Sequence, residues 1–453
     1  MTNTTDPTRA LADFAAGPLT MPDDLIGLIE ECVLDLAGHS AFAARFAESS
    51  PAFRDGVRAI DPTGGGFTVI GEAGSYAQGQ AALLNGAFAH TMDFDDTNVY
   101  GVLHPGAPVI AAALAAAEAV DTRGRALLEA VAVGYEVASR IGAALGESAY
   151  DRGFHVTGVA GIFGAVAAAG RLRGLDGTRL DAAFGLAGSL AGGSMQYLEN
   201  GAWNKRLHPG FAAQAALMAL GFAQAGVAGA RDAVAGRFGL LAGHSNQPRP
   251  ERLTDGLGRD WVARQTGIKP YPSCRLTHGA VDAALALRAQ VPDAERAAVS
   301  LAVTLSPKGF DIVGEPLAAK IAPRNIVDGQ FSVYFQVACA WLDGRADWQS
   351  YERLGDPAVE ALARRIRVDA DAQLKGPAAR LRVVGLPGVQ VDVPVPAGEP
   401  STPLGRARLT QKYLSLATPV YGEARAHGLA ERLLSLRDAP SAAALVRSLR
   451  TDA

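Results

Sequence analysis

Between residues 77 and 241 the chain offers little except helix, and those helices are built from its smallest residues. The runs 107–120, 127–145, 156–172, 180–190 and 211–225 are dominated by Ala and Gly. Side chains this small bring helix axes close together, so the pattern calls for a tightly packed all-helical body. Gly158, Gly161 and Gly164 repeat at i, i+3, i+6 and are read as a packing stripe. The most membrane-like stretch, 156–170, is too short to span a bilayer and lies between His155 and Arg171, so a core helix is expected. Upstream, 21–36 is amphipathic, with Pro22, Asp23 and Asp24 suited to a first turn. Gly64, Gly65 and Gly66 mark a loop, with a short strand after it at 67–70.

The character changes after Trp261. The segment KPYPSCRLTH (269–278) has two prolines and cannot be continuous helix. A helix is expected at 279–290 and another at 331–342. Val-rich runs at 299–305, 366–369, 381–385 and 389–395 read as strands. Pro396, Gly398 and Pro400 mark a crossing, after which 404–449 is helical again. The fold class is therefore mainly α: a large all-helical domain, 1–265 with 399–453 returning to it, plus a smaller α+β lid domain, 266–398.

A net charge of −4 over 453 residues, with no basic stripe, argues against a nucleic-acid or membrane-surface role. Three widely spaced cysteines, Cys32, Cys274 and Cys339, make no CxxC; zinc clusters and disulfide scaffolds are not expected, and a reducing cytoplasm fits. The N-terminus shows no signal-peptide pattern. Lysine is scarce, only six against 36 Arg, so Lys205 and Lys269, both in unusual local sequence, draw notice. Lys308, Lys320, Lys375 and Lys412 do not stand out.

The densest chemistry lies at 89–105, AHTMDFDDTNVYGVLHP, which holds His90, Asp93, Asp95, Asp96, Thr97 and His104. A helix running through Asp93 would put Leu84, Phe88 and Met92 on an apolar stripe and His90, Asp93 and Thr97 opposite it. Four histidines, His104, His155, His208 and His278, stand at the starts of Ala-rich helices. Histidine is not a preferred N-cap. A helix N-terminus binds carboxylates and disfavours imidazolium, so these imidazoles are expected neutral and able to take and return a proton. Lys205 and Arg206 precede His208, and Lys269 and Arg275 precede His278. Together they describe a pocket for a small polycarboxylate. Each has a plainer reading as a solvated or structural group; the repetition favours the site. Cys274 is read as structural.

The stretches NGAFAHTMDFDDTNVYGVLHPGAPV, GYEVASRIG, FHVTGVAGIFGAVAAAGRLRGLD, NGAWNKRLHPGFAAQAALMA, KPYPSCRLTH and FSVYFQVACAWLDG, with the tail GEPSTPLGRARLTQKY, resemble the MmgE/PrpD family. The resemblance implies a helical domain with an α+β lid, a homodimer, and metal-free, cofactor-independent chemistry on di- or tricarboxylates. The family includes 2-methylcitrate dehydratases, cis-aconitate decarboxylases and iminodisuccinate epimerases. Residues matching its pocket are Asp93, Thr97, His104, His155, Lys205, Lys269 and His278. The chain departs from it in reading HPG where many members read HPS. Its lid segment SPKGFD also lacks a tyrosine that some members supply.

The expectation is a lyase, first of all a 2-methylcitrate dehydratase, with decarboxylase or epimerase chemistry as the alternatives. His104, His155, Asp93, Lys269 and His278 would be catalytic. Thr97, Lys205, Arg206 and Arg275 would bind substrate. Two rival classes remain. FDDT in a helical body fits a magnesium-dependent prenyl-transfer enzyme, although no second acidic motif is found. Gly/Ala packing alone also fits a non-catalytic helical binding protein.

Overall fold

A computed structural model describes residues 6–452. Helix α1 (Asp23–Phe46) starts as expected behind Pro22 with two first-turn aspartates, but runs ten residues past 36 because Ala and Phe continue its apolar face. A two-residue ribbon pairs Phe67–Thr68 with Ser75–Tyr76. The body is then built by α2 (Gln78–Thr91), α3 (Gly106–Val120), α4 (Gly124–Leu145), α5 (Val156–Leu172) and α6 (Asn204–Gln224). Helix α5 lies at the centre, against α3, α4 and α6. Its glycine stripe is packing: a Cβ on Gly164 would meet the Gly134 carbonyl of α4 at 2.5 Å, and one on Gly161 would meet Pro108 of α3 at 2.6 Å. Real side chains do not approach so closely, so only glycine lets these backbones touch.

The second unit carries a four-stranded sheet. Its strands are β3 (Leu301–Leu305), β4 (Ile366–Ala370), β5 (Ala379–Val383) and β6 (Gln390–Val393), in the order β4-β3-β5-β6. The β3–β4 pair is parallel and the other two pairs are antiparallel. Strand β5 alternates buried and half-buried positions; α7 (His278–Arg288) covers the apolar face, and α8 (Val333–Asp343) packs on α7. One apolar core runs from Leu11 to Ile268 and takes in Leu409–Leu449; a separate one spans Tyr271–Val383. The returning helix α9 (Arg406–Tyr421) packs on α1, with the Tyr413 ring against Gly38. Among the described residues no helix is long and apolar enough to cross a membrane.

The seam between the units is stitched by two short strands. β1 (Thr97–Asn98) pairs antiparallel with β2 (Thr266–Gly267). This ladder sets the segment after Asp93 beside the segment that carries Lys269.

Candidate active site

Helix α2 ends at Thr91, two residues before the expected boundary, and Asp93 takes a left-handed conformation with φ +50°. Aspartate is among the few non-glycine residues that tolerate this region. The turn corrects the sequence expectation: Asp93 and Thr97 do not share a helical face, since Thr97 sits in β1. It also aims the Asp93 carboxylate at two ammonium groups. Oδ1 accepts from Lys205 Nζ at 2.9 Å and from Lys269 Nζ at 2.9 Å, and Lys269 also donates to the Asp93 carbonyl at 2.9 Å. All three residues are at most 4% exposed. Burial pushes the Asp93 carboxyl upward, but the two ammonium groups outweigh it and hold the group well below the usual carboxylate range. Lys205 belongs to the first turn of α6 and Lys269 to the far side of the seam, so the arrangement spans both units. Phe331 closes over Lys205, its ring centre 5.4 Å from Nζ.

Beside this triad stand four imidazoles in a row. Ring centres are 5.2 Å apart for His104–His90, 5.3 Å for His90–His155 and 5.2 Å for His155–His208. Each environment decides where the proton sits. His104 Nδ1 lies 2.7 Å from the Asp96 carbonyl and 3.1 Å from Thr97 Oγ1; a carbonyl only accepts, so Nδ1 carries the hydrogen and Nε2 is a free base. The backbone of His104 is fixed by N–H donation to Thr157 Oγ1 in the first turn of α5, at 3.1 Å. His90 Nδ1 donates to Asp95 Oδ2 at 2.8 Å, and its buried Nε2 has no hydrogen-bond partner. His278 Nε2 donates to the Ser273 carbonyl at 3.2 Å, leaving Nδ1 free. Burial pushes His104 and His278 down to about 3, with the Lys269 ammonium adding to the effect. Burial likewise lowers His90 and His155. These imidazoles are neutral at pH 7, as expected, but burial dominates where the sequence reading invoked helix ends.

Thr97, Lys269, Arg275 and His278 line one narrow cleft at the seam. Arg275 grips Glu399 there with two parallel hydrogen bonds. Arg206, expected to bind substrate, is committed elsewhere: it pairs with Glu48 at 2.8 Å and donates to Ser49 Oγ at 2.8 Å. His208 is the fifth residue of α6 rather than a residue ahead of it, and Pro209 lies inside that helix. The FDDT carboxylates are engaged internally. Asp95 holds His90, and Asp96 accepts from the Gly106 N–H at 3.0 Å and from the Tyr135 hydroxyl, capping α3. Neither is free to bridge a metal to a diphosphate.

Lys412 escaped the sequence reading altogether. Its ammonium reaches in from α9, pairs with Asp35 at 2.7 Å, and donates to the Phe94 carbonyl at 3.0 Å and the Lys269 carbonyl at 2.9 Å. It thereby ties the Asp93 turn to the Lys269 segment. No local signal marks it, because its partners lie 318 and 143 residues away.

Comparison with known proteins places the chain in a family. The MmgE/PrpD N-terminal domain model matches residues 9–253, and the MmgE/PrpD C-terminal domain model matches 271–436. The chain belongs to the MmgE/PrpD family. It is 27% identical over 446 residues to a cis-aconitate decarboxylase of Aspergillus terreus, covering 92% of this chain and 90% of that one. A mouse (Mus musculus) cis-aconitate decarboxylase is 29% identical over 304 residues, covering 64% of this chain and 60% of its own. The cis-aconitate decarboxylase-like protein oryM of Aspergillus oryzae is 28% identical over 400 residues, 82% of each.

The buried imidazoles make stability depend on pH. His39, His104 and His278 sit at about 3 and His208 at about 4, all pushed down by burial, against about 6.5 in an unfolded chain. Below about 6.5 the unfolded state therefore binds more protons, and acid removes stability. Asp35 and Asp232 at about 6 and Asp96 at about 7, all raised by burial, act the other way. The imidazoles outnumber these three carboxyls, the more so because His90 and His155 are lowered too, so stability falls with acid between about pH 6 and 4. Chemical-denaturation midpoints should fall across that window; a flat or rising midpoint would contradict neutral imidazoles.

Proposed function

We propose that this chain is a lyase acting on a small di- or tricarboxylate, and that decarboxylation of cis-aconitate or a close analogue is its reaction. The observation that carries the reading is the convergence of Lys205 and Lys269, from opposite sides of the seam, on one oxygen of Asp93 beside a row of unprotonated imidazoles. An ammonium has three N–H donors. Lys205 gives one to Asp93 and Lys269 gives two, which leaves three to receive a substrate carboxylate.

The chemistry follows from charge. A polyanion entering among neutral imidazoles raises their proton affinity, so one of them becomes imidazolium on binding. Loss of CO2 breaks a C–C bond and leaves an electron pair on carbon. The ammonium groups stabilise that charge as it spreads onto a neighbouring carboxylate. His104 or His155 then delivers a proton to carbon. The sum is R–COO⁻ + H⁺ → R–H + CO2. Thr97 and Asp93 orient the groups, and His278 and Arg275 complete the cleft.

The sequence alone placed 2-methylcitrate dehydration first. The names of the relatives favour the decarboxylase alternative, and dehydration becomes the second reading. The test is a panel of cis-aconitate, 2-methylcitrate and iminodisuccinate followed by NMR. Release of CO2 equimolar with loss of cis-aconitate supports the proposal. Inert cis-aconitate beside a turned-over alternative overturns it.

A further inference from the structure

Decarboxylation consumes one proton per turnover, whereas dehydration and epimerisation return the proton they remove. A closed site running the first reaction needs a route for protons, and one histidine outside the catalytic set is placed to supply it. His208 Nδ1 lies 3.1 Å from His155 Nδ1. Two imidazole nitrogens at that distance share one hydrogen, donated by one ring and accepted by the other. His155 is 3% exposed and His208 is 7% exposed. The Tyr197 ring flanks both, its centre 6.0 Å from that of His155 and 6.2 Å from that of His208. Gly193 lies against the pair: a Cβ there would sit 3.3 Å from His208 Nδ1 and 3.4 Å from His155 Cβ. The Gly193 carbonyl accepts the His155 backbone N–H at 2.9 Å and so fixes the turn. Neighbouring Gly192 is exposed, with open space where its side chain would be. His208 is the more exposed of the two histidines and lies beside this glycine pair, while His155 faces His90 on its other side at 5.3 Å.

We infer that His208 is the entry of a two-imidazole proton relay that recharges His155 between turnovers. This rests on the decarboxylase reading. Solvent protonates His208 at Nε2. The ring passes its Nδ1 hydrogen across the 3.1 Å bond to His155 Nδ1. His155, now imidazolium, gives its Nε2 hydrogen to the substrate carbon that has lost CO2. One proton enters and one leaves, and no other co-reactant is needed. The shared hydrogen bond is then reversed, and tautomer exchange in both rings resets it. His208 does not touch substrate; it acts through His155.

The experiment separates proton delivery from substrate binding. In His208→Gln, whose amide keeps a polar contact but cannot relay a proton, the neutral His155 is recharged only by direct exchange with solvent, so every turnover waits for a proton. The steady rate of CO2 release from cis-aconitate should fall about 10- to 100-fold below wild type with KM unchanged. Free imidazole should restore it. His208→Asn, checked for its melting temperature, should repeat the pattern. A variant with wild-type steady-state turnover, or one whose lost rate free imidazole does not restore, overturns the relay. If the wild-type protein itself releases no CO2 from cis-aconitate, the functional reading has failed and the demand for a relay goes with it.

Discussion

Lys269→Met should lower kcat/KM for the polycarboxylate by about 10³-fold, one of the largest effects expected of any single substitution in the chain. Two losses combine. The side chain is 3% exposed, and its ammonium holds both the carboxylate and the carbonyl of Asp93. Breaking a buried, hydrogen-bonded pair costs about 3–5 kcal/mol when the partner charge is stranded, and less here because Lys205 still pairs with Asp93. Removing a pre-positioned donor from a dry site costs a further ~10²–10³ in kcat. Lys269→Arg should not rescue: a planar fork cannot place one nitrogen against both the Oδ1 and the carbonyl oxygen of Asp93. Melting temperature and kinetics measured on the same variant separate the two losses, because Lys205 still neutralises Asp93 and limits the fall in stability. A large fall in melting temperature with kcat and KM of the folded protein unchanged would make Lys269 a structural lysine only.

His104→Gln should reduce kcat by about 10²–10⁴-fold, the range for loss of a positioned acid/base group, with little effect on melting temperature. The imidazole is held by two contacts of its own segment, and the His104 backbone N–H by one from α5. The tautomer they impose leaves Nε2 unprotonated. Glutamine can keep the Nδ1-side donor bond while removing the base. His155→Ala should be of similar size, whereas Arg206→Gln should change stability through Glu48 and Ser49 and leave KM nearly unchanged. Steady-state kinetics with the same substrate panel checks all three. Full activity in both histidine variants would remove the proposed chemistry.

The parts of this molecule that were legible in the sequence are those fixed by local pattern. Most Ala/Gly helices, the Val-rich strands and the helical tail fall within a few residues of their expected bounds, because apolar period and turn residues act over short distances; α6 is the exception, starting at Asn204 instead of 211. Helix ends were less legible. Nothing local announces that α2 stops at Thr91, and that stop decides where Asp93 points. The motif residues Asp93, Lys205, Lys269, His104, His155 and His278 do meet at the seam, linked directly or through His90. Arg206 turns away, since proximity to Lys205 in sequence puts it on another face of α6. His90 and Asp95 were seen as acid/base-capable groups, yet their pairing is what places an imidazole at the middle of the row. Lys412 was invisible because its role exists only once α9 has returned to the body. Sequence period predicts elements; it carries no signal for contacts made across several hundred residues.

The central claim is spatial and chemical together: two ammonium groups and a row of neutral imidazoles form one cavity for a polycarboxylate. A crystal structure of the protein soaked with cis-aconitate tests it most directly. The account predicts one substrate carboxylate within hydrogen-bond distance of both Lys205 and Lys269 Nζ, and substrate carbon atoms facing His104 and His155. A ligand bound elsewhere, with these side chains untouched, would contradict it.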